Sequence, residues 1–346
     1  MLLPPIRCFK IKNILVILLF YSISTPLKSH QKINPENWMK YLYHKLPETR
    51  LRDVLIPGTN NSGSYNITND SPLVPKASNL FLLNKTIASN WVKTQNLTIF
   101  EQLKRGIRYI ELNLINYKGE FFLTNGLISG DLNDVLINLR SWAATHPFEI
   151  VFINAKFDFQ TLSEAKDLHR RFSKHIGPFL AFPLLPPNRL TFGDLWAKEK
   201  GRPLILLTPS SFKKMSPRYW DKKKMLQTSK TNAQNKKVLL DQILYGNEKG
   251  PGLYKQDWSK FFISELIFKP NTKTIIKGLF EKSAPKNLLQ LSRPLFESSK
   301  KSVKYWLQKD LPVNIIKIDF FEKTNLVSTC LEANRKTLIQ REKIWY

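Results

Sequence analysis

Residues 149–154 read Glu-Ile-Val-Phe-Ile-Asn, and this stretch gives the first indication of the fold. Four apolar residues stand together between two polar ones, and Pro147 prevents a preceding helix from running into them. A run that is apolar at every position is typical of a strand buried on both faces of a parallel sheet. A second run of this kind, Leu-Ile-Leu-Leu, follows at 204–207. We therefore predict parallel strands in the centre of this protein.

Helical stretches with recognisable ends separate the apolar runs. Residues 97–106 are predicted as a helix, because Thr98 and Glu101 have the spacing of a capping box. Gly106 stands where a left-handed residue ends a helix. Capping residues predict further helices at 131–144 and 161–177, and a helical tail is predicted from about residue 325 onward.

The remaining strands complete an alternating pattern. They are predicted at 51–57, 107–115, 121–123 and 313–321. Strands and helices that alternate at this spacing indicate an α/β fold with parallel strands. A single domain of about 300 residues built in this way is most often a barrel, with a doubly wound sheet as the second possibility. In a barrel, the functional residues follow the carboxyl ends of the strands.

The composition excludes several classes of protein and suggests a partner. The 346 residues are 42% apolar, with 13 Gly and 21 Pro, so the chain is neither disordered nor collagen-like. A net charge of +27 attracts polyanions, either nucleic acid or an anionic membrane, although codon bias toward Lys and Asn would give the same excess. Cys8 and Cys330 are too few for a disulfide framework or a cysteine metal cluster.

The N-terminus has the pattern of a secretory signal peptide. Basic residues precede an uncharged aliphatic run at 14–23, and small residues follow it. The run is about half the length that a membrane span requires. The sequence thus predicts a signal peptide at 1–29, export of the protein, and a barrel domain at 30–346.

Four motifs at the predicted strand ends resemble a known family. Residues 56–65 read Ile-Pro-Gly-Thr-Asn-Asn-Ser-Gly-Ser-Tyr, and residues 106–113 read Gly-Ile-Arg-Tyr-Ile-Glu-Leu-Asn. Residues 122–126 read Phe-Leu-Thr-Asn-Gly, and residues 314–320 read Asn-Ile-Ile-Lys-Ile-Asp-Phe. Their order resembles the X domain of phosphatidylinositol-specific phospholipase C, most of all the proteins with a single X domain. The resemblance covers roughly residues 38–329.

The resemblance implies a fold and a reaction. The fold would be a distorted, incomplete TIM-like (β/α) barrel of the phospholipase C-like phosphodiesterase type. In that family one histidine deprotonates the inositol 2-hydroxyl, which attacks phosphorus, and a second histidine protonates the leaving oxygen. An arginine or a bound calcium ion stabilises the developing charge. A poor nucleophile and a poor leaving group need such a base and acid, and the charge needs a fixed cation.

At the positions that match these motifs, the chain departs from the family. The resemblance places asparagine where the family has its two histidines, its orienting aspartate and its arginine, and it retains two carboxylates. The matching residues, in chain order, are Asn60, Asn61, Glu111, Asn113, Asn125 and Asp319. An amide cannot exchange protons near neutral pH. The resemblance therefore implies a phospholipase that is weak or inactive and that retains binding of a headgroup or an anionic membrane.

An active enzyme with altered chemistry is the alternative. Asn61, Glu111 and Asn113 partly match the calcium-dependent branch of the family, and amide oxygens are acceptable calcium ligands. A calcium ion there would replace the missing arginine. It would not replace the two proton carriers.

A basic segment at 198–237 is a candidate membrane surface. It contains twelve basic and two acidic residues, and Tyr219 and Trp220 lie beside a lysine triplet. Aromatic rings suit the headgroup level, and lysines bind anionic lipid. The predicted membrane-binding residues are Lys213, Lys214, Tyr219, Trp220, Lys222, Lys223 and Lys224. A solvated loop is the alternative. We expect no nucleic-acid partner, since no such motif is present, and we expect a monomer.

Overall fold

Eight parallel strands form the main sheet in this computed structural model, which describes residues 32–74 and 84–344. The strands, in chain order, are β1 (Ile56–Thr59), β2 (Tyr109–Tyr117), β3 (Glu120–Thr124), β4 (Ile128–Asp131), β5 (Val151–Lys156), β6 (Leu204–Thr208), β7 (Trp220–Asp221), β8 (Leu226–Thr228), β9 (Gly246–Asn247), β10 (Gly250–Pro251), β11 (Phe261–Leu266) and β12 (Ile315–Ile318). The sheet runs β7-β6-β5-β2-β1-β12-β11-β8, all parallel. β3 and β4 extend β2 as an antiparallel flap.

Helices follow most of the strands and cover the outside of the sheet. They are α1 (Trp38–Tyr43), α2 (Lys85–Val92), α3 (Ile99–Lys104), α4 (Leu132–Thr145), α5 (Leu162–His175), α6 (Ser210–Lys213), α7 (Lys222–Met225), α8 (Lys236–Tyr245), α9 (Thr272–Phe280), α10 (Leu288–Gln308) and α11 (Leu326–Ile344). The buried apolar faces of most of them pack in one large core cluster, and Ala88 and Val92 of α2 belong to a smaller second cluster. Among the helices of the described ranges, none is long and apolar enough to cross a membrane.

The two edges of the sheet come close together, which curls the sheet into a partial barrel. β7 is one edge and β8 the other, yet Asp221 and Leu226 are joined only by the four residues of α7. Five residues span at most about 18 Å. This curled α/β sheet confirms the predicted fold class, a distorted and incomplete TIM-like barrel. The predicted signal peptide at 1–29 lies outside the described residues.

Several predicted helix ends are confirmed. Thr98 and Glu101 form a complete capping box at the start of α3, and Gly106 adopts a left-handed φ of 100° after it. Asp131 accepts a hydrogen bond from the backbone of Asn133 and caps α4. Local capping chemistry decides these boundaries, so the sequence was sufficient to predict them.

Two predicted strands are shorter than expected. The strand predicted at 51–57 begins only at Ile56, because Leu51–Asp53 forms a 3₁₀ turn in which the N–H of Val54 donates to the carbonyl of Leu51. The strand predicted at 313–321 ends at Ile318. Phe320 has a left-handed φ of 46°, a conformation that a strand cannot contain.

The predicted lipid-facing role of Tyr219 and Trp220 is wrong, because both side chains are buried in the core. The Tyr219 ring stacks on Phe212 at a centroid distance of 5.3 Å. The indole nitrogen of Trp220 donates to the carbonyl of Ala181 at 2.9 Å. The segment is neither a lipid-binding aromatic patch nor a long loop, since it contributes α6, β7, α7 and β8 to the barrel.

Candidate functional site

The carboxyl ends of the parallel strands surround a cavity of about 310 Å³. One part of its wall is apolar and comes from α2, the start of α10 and the segment after β11. The polar residues that line the cavity are Asn60, Asn61, Thr94, Glu111, Asn125, Lys156, Glu265, Lys269, Lys317 and Asp319. Five of the six predicted site residues are among them. No histidine of the described ranges lines this cavity.

Asn60 and Asp319 meet at the ends of the neighbouring strands β1 and β12. The side-chain amide of Asn60 donates to Oδ1 of Asp319 at 2.9 Å. The backbone of Asn60 is fixed by Gln95, whose amide donates to the carbonyls of Asn60 and Ile318 at 3.1 Å each. The hydroxyl of Thr94 also donates to the Asn60 carbonyl, at 2.9 Å. The loop after β1 is thus held rigidly to the end of β12.

The carboxyl group of Asp319 is buried and only half satisfied. Its Oδ2 atom has no hydrogen-bond partner among the described residues, although Asp319 lines the cavity. Burial raises the pKa of Asp319 to about 7, and the hydrogen bond from Asn60 and the charge of Lys317 oppose this only in part. Asp319 can therefore exchange a proton near neutral pH.

A chain of alternating charges crosses the floor of the cavity. The ammonium group of Lys317 donates to Glu265 at 2.9 Å and to Glu111 at 3.2 Å, and all three side chains are buried. Glu111 also forms an ion pair with Lys156, and Glu265 forms one with Lys269 at 2.7 Å. Register explains the contact between the central pair, because Glu265 on β11 lies directly beside Lys317 on β12.

Mutual attraction keeps the central groups charged despite their burial. Burial alone would raise the pKa of Glu111, but Lys317 and Lys156 lower it to about 2. Burial would likewise raise the pKa of Glu265, which Lys317 and Lys269 lower to about 2. Burial would lower the pKa of Lys317, but the two carboxylates raise it above its ordinary value. Glu111, Glu265 and Lys317 therefore remain charged and paired near neutral pH, and they neither take up nor release protons there.

The other predicted asparagines are bound to protein groups. The side-chain amide of Asn113 donates to Oδ1 of Asn61 at 2.5 Å, and Asn113 itself does not line the cavity. Asn61 has a left-handed φ of 39°, which asparagine tolerates. The amide of Asn125 donates to the carbonyl of Val92 at 2.5 Å. These amides shape the wall, and none of them is a proton carrier.

The predicted calcium ligands do not fit a cation well. Calcium requires about six to eight oxygen ligands, several of them charged. Glu111 already accepts from two ammonium groups, and Oδ1 of Asn61 accepts from Asn113. Within the described ranges, no group of three or more His, Cys, Asp or Glu side chains is arranged to hold a metal ion. The ammonium groups of Lys156 and Lys317 thus lie beside Glu111, where a calcium ion would have to bind.

One lysine of the basic segment belongs to the cavity region. Lys222 follows β7 directly and is half-buried. Burial, followed by repulsion from Lys156, lowers its pKa to about 8. Lys223 and Lys224 are exposed, and so is Lys214. Lys213 is partly exposed.

Four charged residues of the site were missed by sequence reasoning. Lys317 is on β12, two residues before Asp319, which follows the strand directly; residues two apart along a strand share a face, and this spacing was the available signal. Lys156 is the last residue of β5. The strand predicted at 149–154 stopped two residues before it. Glu265 lies on β11 and Lys269 follows three residues after its end; this strand was not predicted, so no signal pointed to either residue.

The fold defined by these strands is that of the phosphatidylinositol-specific phospholipases C. The structure is similar to the enzyme of Listeria monocytogenes, with a TM-score of 0.59 and 16% identity, over 87% of this chain and 99% of that chain. A double mutant of the Staphylococcus aureus enzyme gives a TM-score of 0.61 at 15% identity, over 87% and 97%. No protein-family profile matches the sequence.

Sequence similarity points to proteins that are named for a PI-PLC X domain. The chain is 27% identical over 323 residues to PI-PLC X domain-containing protein 2 of Mus musculus, covering 89% of this chain and 90% of the relative. The corresponding protein of Homo sapiens is 29% identical over 275 residues, covering 75% and 87%. The resemblance to the PI-PLC X-domain family is confirmed.

Proposed function

We propose that the cavity binds the phosphoinositol headgroup of an inositol phospholipid and that the protein cleaves it weakly or not at all. The observation that carries this proposal is the lining of the cavity. Asparagine stands at 60 and 125, where the resemblance puts the base and the acid, and no histidine of the described residues lines the wall. Loss of one acid or base typically lowers the rate ~10²–10⁴-fold.

The charges of the cavity favour a phosphate group. Lys156 is partly exposed and Lys269 is exposed, and each has only one carboxylate partner in the described contacts. The half-buried Lys222 adds a further positive charge nearby. Ammonium groups with unused donors bind phosphate oxygens through charge-assisted hydrogen bonds. The amides and the free oxygen of Asp319 supply partners for the hydroxyl groups of a sugar ring.

The size of the cavity agrees with a small polar ligand. A volume of about 310 Å³ is at the lower end of the range for small-molecule sites, roughly 300–1,000 Å³. The apolar wall beside it, which includes Trp91 and Phe268, could contact the start of a lipid chain. We infer an inositol phospholipid as the partner on this combination of a polar floor and an apolar side.

A binding titration tests the proposal directly. We expect myo-inositol 1-phosphate to bind the wild-type protein in calorimetry and Lys156→Gln to weaken binding about tenfold, the loss of a charged hydrogen bond. Lys304→Gln, an exposed lysine on α10, is the matched control and should bind as wild type does. Equal binding by all three proteins, or none by wild type, would exclude this headgroup site.

A second candidate function is a slow phosphodiesterase that uses other residues or a metal. It is favoured by Asp319, whose free oxygen lines the cavity and whose pKa of about 7 suits a general base. A product assay on phosphatidylinositol vesicles, with calcium or with a chelator, separates the two. Turnover by wild type that is lost in both Asn60→Ala and Asp319→Asn would establish this second function, and no product above background in either buffer would exclude it.

Export of the protein and a monomeric state are further proposals. The proposal of export rests on the signal pattern at 1–29 of the sequence. Secretion of a tagged full-length protein and its sedimentation velocity would test them.

A further inference from the structure

Five Asn-x-Ser/Thr triplets, the acceptor sequence for N-linked glycans, lie in one short part of the chain. The chain contains 26 asparagines, yet every such triplet falls within residues 60–98. This segment also lacks the strongly basic character of the chain, since it contains three Lys, no Arg and one Asp. It follows β1 and includes α2. The acceptor asparagines are Asn60, Asn66, Asn69, Asn84 and Asn96.

The fold encloses Asn60. Its side chain is only 8% exposed, it lines the cavity, and its Nδ2 atom donates to Asp319. A glycan is bulky, so one attached to Asn60 would have to fill the cavity and disturb this hydrogen bond. We therefore expect Asn60 to be unmodified in the folded protein, although its sequence is that of an acceptor.

The other four acceptors are exposed, and Asn84 shows how a glycan fits the local structure. Oδ1 of Asn84 accepts from the backbone N–H groups of Thr86 and Ile87 at 2.8 and 3.2 Å, which caps α2. Its Nδ2 atom has no hydrogen-bond partner among the described residues. A glycan is attached to the nitrogen, so the cap would remain intact.

Asn96 and the pair Asn66 and Asn69 are also accessible. Nδ2 of Asn96 donates to Glu322 at 2.7 Å, but this atom has a second hydrogen that can be replaced. Nδ2 of Asn66 faces Gly130, where even a Cβ atom would be 3.6 Å away, so no side chain of that residue covers it. Asn66 and Asn69 are at most about 11 Å apart, and we therefore count them as one site for a bulky glycan.

We propose that the protein carries N-linked glycans at three places on the segment at 60–98, namely Asn84, Asn96 and the pair Asn66 and Asn69. This inference rests on the proposed export, because the glycans are added in the secretory pathway. None of these asparagines lines the cavity, so the glycans would leave it open. They would cover this flank of the barrel with hydrophilic sugar and exclude it as a contact surface for a membrane.

Glycan transfer joins Nδ2 to a sugar. The donor is an oligosaccharide whose first sugar is bound to a lipid diphosphate. A bond forms between Nδ2 and the anomeric carbon of that sugar, and the bond from this carbon to the diphosphate oxygen breaks. The lipid diphosphate leaves with the electron pair, and Nδ2 releases one of its two hydrogens as a proton. The hydroxyl of the Ser or Thr two positions later is not consumed.

Expression of the full-length chain in insect cells tests the inference. Protein recovered from the medium is treated with an amidase that removes N-linked glycans and leaves aspartate in place of each modified asparagine. We expect peptide mass spectrometry to find this conversion at Asn84, at Asn96 and at one member of the pair 66 and 69. We expect no conversion at Asn60.

Three variants should each remove one glycan, which gel mobility before and after the amidase measures. They are Thr86→Ala, Asn96→Gln, and Asn66→Gln combined with Asn69→Gln. Thr86→Ala is chosen for the site at Asn84 because it destroys the triplet and retains the cap, which uses only the backbone of Thr86. Asn90→Gln is the matched control, since Asn90 is exposed on the same helix but does not begin a triplet. It should keep all three glycans.

Unmodified protein in the medium would overturn the inference, and so would a glycan on Asn60 or equal mobility of all the variants. If the full-length chain stays inside the cells, a secretory leader fused in front of Met1 brings it into the same pathway. Glycans at the expected asparagines of that fusion would support the sites and contradict only the proposed export. A fusion that is secreted without glycans would exclude the sites.

Discussion

Asn60 donates a 2.9 Å hydrogen bond to Asp319, a residue 259 positions later in the chain. The two residues follow adjacent strands, β1 and β12, and Oδ2 of Asp319 is left without a partner among the described residues. An imidazole at position 60 would have given this carboxyl group a partner that can take a positive charge. An amide cannot do so, and burial therefore keeps the pKa of Asp319 high.

The stability of the protein should depend on the protonation of Asp319. Between its ordinary pKa of 3.8 and the raised value of about 7, the folded protein holds a proton at Asp319 that the unfolded chain has released. The contribution of Asp319 to the free energy of unfolding therefore decreases as the pH rises through this window. Asp319→Asn should remove that decrease, which amounts to a few kcal/mol at about 1.4 kcal/mol per pKa unit.

Urea denaturation from pH 4 to pH 8 measures this difference. Asp241→Asn, at an exposed position of α8, is the control and should keep the slope of wild type. If Asp319→Asn and wild type showed parallel curves, Asp319 would be charged throughout the range.

Removal of Lys317 should be strongly destabilising. Lys317→Met leaves Glu111 and Glu265 buried without their shared cation. Breaking a buried ion pair from one side costs about 3–5 kcal/mol. The free energy of unfolding at pH 7, from urea titration, should fall by this amount, whereas Lys304→Met on the surface of α10 should change it by less than about 0.5 kcal/mol.

The same cluster predicts the acid limb of the stability profile. Glu111 and Glu265 have a pKa of about 2 in the folded protein and an ordinary value of 4.5. Their stabilisation is complete above pH 4.5 and is lost as the pH falls from 4.5 toward 2. In Lys317→Met this loss should be smaller. An equally steep acid limb in the variant would show that other carboxylates cause it.

Restoring proton carriers should produce cleavage if the cavity descends from an active site. We combine Asn60→His, Asn125→His, Asn61→Asp and Asn113→Arg, which supply the base, the acid, its orienting carboxylate and the cation. Single substitutions should have almost no effect, because acid, base and cation act as a unit. The fourfold variant should release measurable inositol phosphate from phosphatidylinositol, at a low rate, since unsupported side chains are poorly positioned.

Asp319 provides the control for the restored site. It already binds residue 60, so Asp319→Asn in the fourfold background should reduce the new activity. A folded fourfold variant that binds the lipid and does not exceed wild type would contradict the proposed cause of inactivity.

Gly278→Ala should destabilise the protein although alanine is the better helix former. The added Cβ would lie 2.4 Å from the carbonyl of Pro285 and 3.0 Å from the Trp91 ring. Overpacking of this kind typically costs about 1–3 kcal/mol, more than the ~1 kcal/mol gained in helix propensity. Thermal unfolding of Gly278→Ala should thus occur below wild type. Gly177→Ala, where the nearest atoms are 3.8 Å away, should unfold as wild type does.

The parts of the fold with local causes could be predicted from the sequence. The capping residues Thr98 and Asp131 behave as predicted, and the strand predicted at 149–154 is found at 151–156, because neighbours in the chain decide them. Tyr219 and Trp220 could not be placed correctly, since their burial depends on helices far away in sequence. The ion pairs of Lys317 depend in the same way on strand order, which no local pattern contains.

The shortness of β7 and β8 has a consequence for solubility. An incomplete barrel has two free edges, and an edge with unpaired backbone groups can recruit a strand from another molecule and start aggregation. Here one edge strand has two residues and the other three, and the lysine triplet of α7 stands between them. Lysines at an edge oppose such pairing through charge repulsion and desolvation. The lysines at 222–224 thus have a role within the fold, because they oppose the addition of a strand from another molecule between β7 and β8.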